Sequence, residues 1–176
     1  MLKGKERNLI GLHRVVEVPK PVDEVFAFLD DVRNMGAHME RGGMGVKLQH
    51  ERLSENDTGV GATSRWHGRA FGLKVDYTTV VSRWVPNREK SYETIGRPRM
   101  IIMSGFRMHW TLEPAVTGTK IAIDLEYGRP DSLVGRFLSR LLGKRYGDWC
   151  LNMIMADTEA ALRRGPLPRG VAGGPS

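Results

Sequence analysis

Phe106-Arg107-Met108-His109-Trp110-Thr111-Leu112-Glu113-Pro114 alternates strictly, with Phe106, Met108, Trp110, Leu112 and Pro114 on one parity and Arg107, His109, Thr111 and Glu113 on the other. A period of two belongs to a strand with one buried face. After the turn Val116-Thr117-Gly118-Thr119, the alternation resumes with Ile121, Ile123, Leu125 and Tyr127 facing one way and Lys120, Ala122, Asp124 and Glu126 the other. Two such runs about a short glycine-containing turn predict an antiparallel hairpin.

The same texture extends back to Gly45. Breaks at Glu55-Asn56-Asp57-Thr58-Gly59, near Gly72, at Pro86-Asn87-Arg88 and at Gly96-Arg97-Pro98 divide it into strands over roughly 45–53, 61–70, 73–84, 89–95, 100–113 and 119–127. In the third of these, Leu73, Val75, Tyr77, Thr79 and Val81 share a face. Short connections favour an antiparallel meander. A further strand at 12–18 is ended by Pro19-Lys20-Pro21, because proline lacks the ladder donor. Pro21 suits a helix first turn, Asp23 and Glu24 suit the positive end of its dipole, and Val22, Val25, Phe26 and Leu29 form one apolar face. Residues 33–44, with Gly36, Gly42 and Gly43, allow at most a second short helix before a flexible connection.

Beyond Asp131 or Ser132, either able to cap, the period becomes helical to about Arg164. Leu138, Leu142, Tyr146, Trp149, Met153, Ala156 and Ala160 fall on one stripe, while Gly135, Gly143 and Gly147 predict a kink or close packing. Leu151, Ile154 and Met155 project off that stripe and are read as contacts either with a second copy, giving a homodimer, or within the monomer. The expected organisation is an N-terminal extension over 1–10, one domain over 11–164 and a disordered Gly/Pro-rich tail over 165–176.

At 176 residues the chain can bury about 70% of its unfolded surface without staples. Its single cysteine, Cys150, forms no intrachain bridge and is read as a small packing residue, and the absence of an apolar leader or spanning stretch points to a cytoplasmic protein. The formal charge of +7 attracts polyanions, but no nucleic-acid signature accompanies it, so the excess is read as a solvated surface. Arg136, Arg140 and Lys144 opposite Phe137, Leu138, Leu141 and Leu142 also allow an amphipathic helix seeking an anionic membrane surface.

The element order is accompanied by particular residues. Val18-Pro19-Lys20-Pro21-Val22-Asp23-Glu24-Val25-Phe26-Ala27-Phe28-Leu29, Val60-Gly61-Ala62, and Trp110-Thr111-Leu112-Glu113-Pro114 with Gly118-Thr119 resemble the START-related SRPBCC superfamily, specifically its polyketide cyclase/dehydrase-type branch, over about residues 12–164. The resemblance implies an α+β helix-grip fold: a seven-stranded curved antiparallel sheet around a long C-terminal helix, with one or two short helices after the first strand. It also implies binding of lipids, sterols, polyketides or hormone-like molecules in a cavity, with only some relatives enzymes.

A sheet bent around a single helix leaves a hollow, and such pockets run ~300–1,000 Å³. A dry void of about 500 Å³ at ~24 cal/mol per Å³ would cost on the order of 12 kcal/mol, as much as a domain's whole stability. A ligand or ordered water must therefore fill it. The inward candidates for its wall are His50, Trp66, Tyr77, Thr79, Trp110, Tyr127, Trp149 and Met153; the aromatic and apolar ones are also readable as core packing, and His50 as turned outward by a bulge before Leu53.

Tests for an enzyme are mostly negative. Gly-x-Ser-x-Gly, Walker, His-Glu-x-x-His and Cys-x-x-Cys motifs are absent, and Gly59-Val60-Gly61-Ala62 precedes a strand rather than a helix. The five histidines show no metal spacing, and neither metal nor cofactor is expected. The leading expectation is a carrier or sensor for a small hydrophobic molecule. The alternative is a polyketide cyclase/aromatase-like enzyme using His50 with Tyr77 or Tyr127 as acid and base.

Overall fold

The computed structural model describes residues 9–34, 45–56, 58–70, 72–100, 103–130 and 133–164. Its elements run β1 (Leu9–Val18), α1 (Val22–Asp30), β2 (Val46–Arg52), β3 (Thr63–Ala70), β4 (Leu73–Val85), β5 (Glu89–Arg99), β6 (Gly105–Ala115), β7 (Gly118–Gly128) and α2 (Leu133–Arg164). Residues 32–34 add a short helical stretch after α1. The expected extension up to residue 8, the tail from 165 and the capping residues Asp131 and Ser132 lie outside the described residues. All strands form one antiparallel sheet in the order β1-β7-β6-β5-β4-β3-β2. The fold is the expected seven-stranded curved sheet with a C-terminal helix.

The first strand stops where its prolines require, and Pro21 takes the N-cap position with φ −65° and ψ 155°. The turn is held by Thr119 Oγ1, which donates to Lys20 O at 2.7 Å. A Cβ on Gly118 would collide with Val18 O, which is why the β6–β7 turn needs glycine beside β1.

The expected break at Gly96-Arg97-Pro98 is instead a bulge within β5, and β6 begins at Gly105 rather than 100. Thr78 faces Ile95 and Asp76 faces Arg99, so Tyr77 of β4 is spanned by Gly96, Arg97 and Pro98 of β5. Gly96 takes φ 70°, and proline offers no ladder donor; together they lift the strand out of register without ending it. A second shift, between Val81 and Arg83, brings Trp84 onto the inner face.

The concave face carries two separate apolar clusters. The larger joins Leu12, Met108, Trp110, Leu112, Ile121, Ile123, Leu125 and Tyr127 of the sheet to Val25, Phe26 and Leu29 of α1 and to Leu151, Ile154, Met155 and Leu162 of α2. Phe26 meets Trp110 edge-on at 5.4 Å and Trp84 at 5.8 Å. The smaller cluster holds Val46, Leu48, Trp66, Ala70, Val75 and Tyr77. Half-buried Met100 and Phe106 touch both.

The second half of α2 turns a different face inward from the stripe read from sequence. Leu151, Ile154, Met155, Thr158 and Leu162 are buried, Ala156 is exposed, and Trp149 and Met153 are only half-buried. At ~100° per residue the two stripes lie about half a turn apart. Apolar residues occur around much of this helix, so periodicity alone does not select the face. Leu151, Ile154 and Met155 therefore pack in the monomer's own core. Cys150 is buried as well. Gly147 shows the close packing expected of the helix glycines: a Cβ there would stand 2.5 Å from Leu12 Cδ1 and 3.4 Å from Tyr127 Cε1.

One buried charge pair anchors α1 to the sheet. Lys90, 3% exposed, donates from Nζ to Asp30 Oδ1 at 2.6 Å and to Asp30 O at 2.7 Å. Trp84 Nε1 donates to the same carboxylate at 3.0 Å. With two donors on one carboxylate, the charges are hydrogen-bonded as well as paired, as burial demands.

Candidate functional site

Alternation along each strand sends every second side chain inward, and the ladder register decides which of these meet. His50 lies opposite Trp66, and Trp66 opposite Tyr77, so β2, β3 and β4 contribute one cross-strand row. No bulge interrupts the β2–β3 register, and His50 stays on the inner parity, its ring 4.9 Å from Trp66. Tyr77 meets Phe106 edge-on at 5.7 Å, Tyr92 meets Phe106 at 6.1 Å, and Phe106 lies opposite Tyr127. An aromatic band thus crosses the concave face from β2 to β7.

Phe106 and Tyr92 complete this band and are not among the residues singled out from sequence. Phe106 shares its parity with Met108 and Trp110, which is the available signal. Tyr92 lies in a strand whose inner parity also contains Lys90 and Thr94, and that polarity obscures it.

The band has polar tips. Tyr92 OH donates to Met108 Sδ at 2.9 Å, and Thr79 Oγ1 donates to Ser64 O at 3.4 Å. Trp110 Nε1 and Tyr127 OH are buried and have no hydrogen-bond partner among the described residues. A buried polar group left in that state costs about 1–3 kcal/mol, so each would favour a polar atom of a guest. Burial raises the pKa of the Tyr77 and Tyr92 phenols; for Tyr77, the nearby Tyr92 and Cys150 add to it. Tyr127 is raised by burial first and by Asp148 second. These hydroxyls are therefore neutral donors at physiological pH.

Of the expected wall residues, His50, Trp66, Tyr77, Thr79, Trp110 and Tyr127 lie on the concave face. Trp149 and Met153 do not join them: both sit on the face of α2 turned from the buried stripe. Phe137 and Leu141 are exposed near the start of α2, as are Arg140 and Lys144. The side chains of Arg136, Leu138 and Leu142, named with them from sequence, lie outside the described residues. No helix among the described residues is long and apolar enough to cross a membrane.

A family model described as polyketide cyclase/dehydrase and lipid transport matches residues 10–152. The chain belongs to that family. Solved structures extend the likeness of this polyketide cyclase/dehydrase-type chain. The Zhui aromatase/cyclase from Streptomyces sp. R1128 is similar with a TM-score of 0.68 and 15% identity, over 89% of this chain and 95% of that one. A protein from Thermus thermophilus gives 0.66 and 16%, over 89% and 97%. Ara h 8.0201 gives 0.61 and 13%, over 90% and 100%. At these identities the likeness is one of fold. No curated protein matches the chain in sequence.

Proposed function

We propose that this chain binds a small hydrophobic molecule against the concave aromatic band, as a carrier or sensor. The observation that carries the reading is that two buried groups of the inner face, Trp110 Nε1 and Tyr127 OH, have no hydrogen-bond partner among the described residues. The division of the buried apolar side chains into two clusters among the described residues, joined through half-buried Met100 and Phe106, supports it. Burying ~300 Å² of apolar ligand at ~25 cal/mol per Å² is worth roughly 7 kcal/mol before association costs, so selectivity must come from the hydroxyl and indole tips. Native mass spectrometry of protein purified from its own host should reveal a copurifying apolar compound, and Nile red should bind the emptied protein and be displaced by that compound. Absence of both a copurifying mass and dye binding in the wild type would end the reading.

A second reading is favoured by the row His50, Trp66, Tyr77. Tyr77, kept protonated by burial, could act only as an acid near neutral pH, leaving His50 as the base for cyclising a poly-β-ketone. His50→Ala would then abolish turnover of such a substrate while sparing its binding. Unchanged turnover in that variant would remove His50 from the chemistry.

A further inference from the structure

The outer face of the sheet is charged in two different ways. Across β1, β7, β6 and β5 its rows alternate in sign: Glu17, Lys120 and Glu113 stand opposite one another, as do Glu126, Arg107 and Glu93. Lys120 reaches Glu113 at 3.2 Å and Arg107 reaches Glu93 at 3.0 Å. Across β2, β3 and β4 the register instead puts Lys47 opposite Arg69 and Arg69 opposite Lys74. Neighbouring strands are ~4.8 Å apart, and like charges directly opposite destabilise a sheet. All three cations are exposed, and none makes an ion pair among the described residues; Arg69 Nη1 donates to Gly72 O at 2.8 Å.

The bulge in β5 adds to this row. It carries Arg97 and Arg99 beside Lys74 in a cleft of about 410 Å³ that also includes Asp76 and Gly96. A second cleft of about 350 Å³, lined by Arg65, His67 and Arg69, shares Lys74 and Asp76 with the first. The one carboxylate common to both is already engaged: Arg65 donates to Asp76 Oδ1 at 2.9 Å and Oδ2 at 2.7 Å. Hydrogen bonding from Arg65 also lowers the Asp76 pKa, so it remains a paired anion. Lys74, Arg97 and Arg99 are left without an ion-pairing carboxylate among the described residues.

We infer that this pair of adjoining clefts is a binding site for a phosphate-type oxyanion. The Arg97 and Arg99 guanidinium groups and the Lys74 ammonium line one cleft, and groups of this kind match phosphate oxygens. Nucleic acid fits less well, because the outward residues here, Lys47, Gln49, Glu51, Arg65, His67, Arg69, Lys74, Asp76 and Thr78, include no large aromatic platform on which a base could stack, and Glu51 lies 3.6 Å from Arg65 and 4.0 Å from His67. The phosphate could belong to a free metabolite or to a phospholipid headgroup. Its charged side chains lie on the opposite face from the proposed hydrophobic ligand, while Tyr77 of the band also borders the first cleft.

The test uses the full chain, the triple variant Lys74→Ala/Arg97→Ala/Arg99→Ala, the single reversal Lys74→Glu, and Lys120→Ala as a control from the alternating half. Inorganic pyrophosphate, followed by amide NMR shifts, should perturb Lys74, Gly96 and Arg97. Its affinity should fall roughly tenfold or more in the triple variant and drop in Lys74→Glu, yet hold in Lys120→Ala. If the source is a headgroup, the protein should cosediment with phosphatidylcholine vesicles containing phosphatidic acid but not with phosphatidylcholine alone. That binding should weaken with salt and vanish in the triple variant. The inference is overturned if wild type binds neither probe, or if the triple variant binds as wild type does.

Discussion

The two ends of this sheet are built to different standards. At the β1–β7–β6 end, α1 and α2 cover the inner face, a buried Lys90–Asp30 pair ties α1 to β5, and outer charges alternate row by row. At the β2–β3–β4 end, the inner face holds a smaller cluster of its own, and the outer face stacks Lys47, Arg69 and Lys74 in one row. The first end pairs its charges internally. The second leaves charge available, and the aromatic band spans the boundary. Stability should therefore concentrate at the first end, and response to an external anion at the second.

The sharpest way to break this contrast is Lys90→Ala. It strands Asp30 in the interior, and removing one partner of a buried pair costs about 3–5 kcal/mol. The double variant Asp30→Leu/Lys90→Leu should recover most of that loss in urea unfolding. If Lys90→Ala costs under about 1 kcal/mol, the anchor is not the source of stability assigned to it.

Next come the two inner tryptophans, Trp110 at 0% and Trp66 at 3% exposure. Trp110→Ala removes the ring that Phe26 of α1 packs on, and should cost about 3–5 kcal/mol. Trp66→Ala empties the smaller cluster and should destabilise less, while weakening Nile red binding more. Equal losses of stability, with equal effects on the dye, would erase the distinction between the ends.

Much of this division is legible in the residues alone, and the exceptions have physical causes. Parity places Trp110, Tyr127, Tyr77 and Trp66 on the inner face because a half-buried strand admits no other arrangement. The bulge at Gly96-Arg97-Pro98 reads as a turn in sequence, since glycine and proline relax the backbone in either setting and only the partner strand decides. The inward face of α2 escapes periodicity because apolar residues lie on both sides of the helix. Lys90 is on the inner parity, yet a lysine there is explicable only through Asp30, which lies 60 positions away in sequence. The charge rows need register, which the hairpin turns alone do not specify across three strands.

A smaller effect concerns the phenols. Tyr77, Tyr92 and Tyr127 all have raised pKa values in the folded chain, with burial the leading cause. Stability from a raised pKa is fully present below the unfolded phenol value of about 10 and is lost as pH rises through the folded values. Tyrosinate absorbance from these residues should thus appear together with loss of far-ultraviolet circular dichroism above about pH 10. Ionisation preceding unfolding would mean that water already reaches the band.

The smallest effect discriminates the outer faces most directly. Lys74→Glu places an acid opposite Arg69 and removes one of the row's two like-charge contacts, leaving Lys47 opposite Arg69, so it should stabilise by about 0.2–1 kcal/mol. Lys120→Glu does the reverse, setting three carboxylates side by side with Glu17 and Glu113, and should destabilise by a similar ~0.2–1 kcal/mol. Both shifts should shrink in high salt, because all the charges concerned face solvent. If Lys74→Glu also destabilises, then the cation row is satisfied by the fold itself, and the reason for expecting an external anion there disappears.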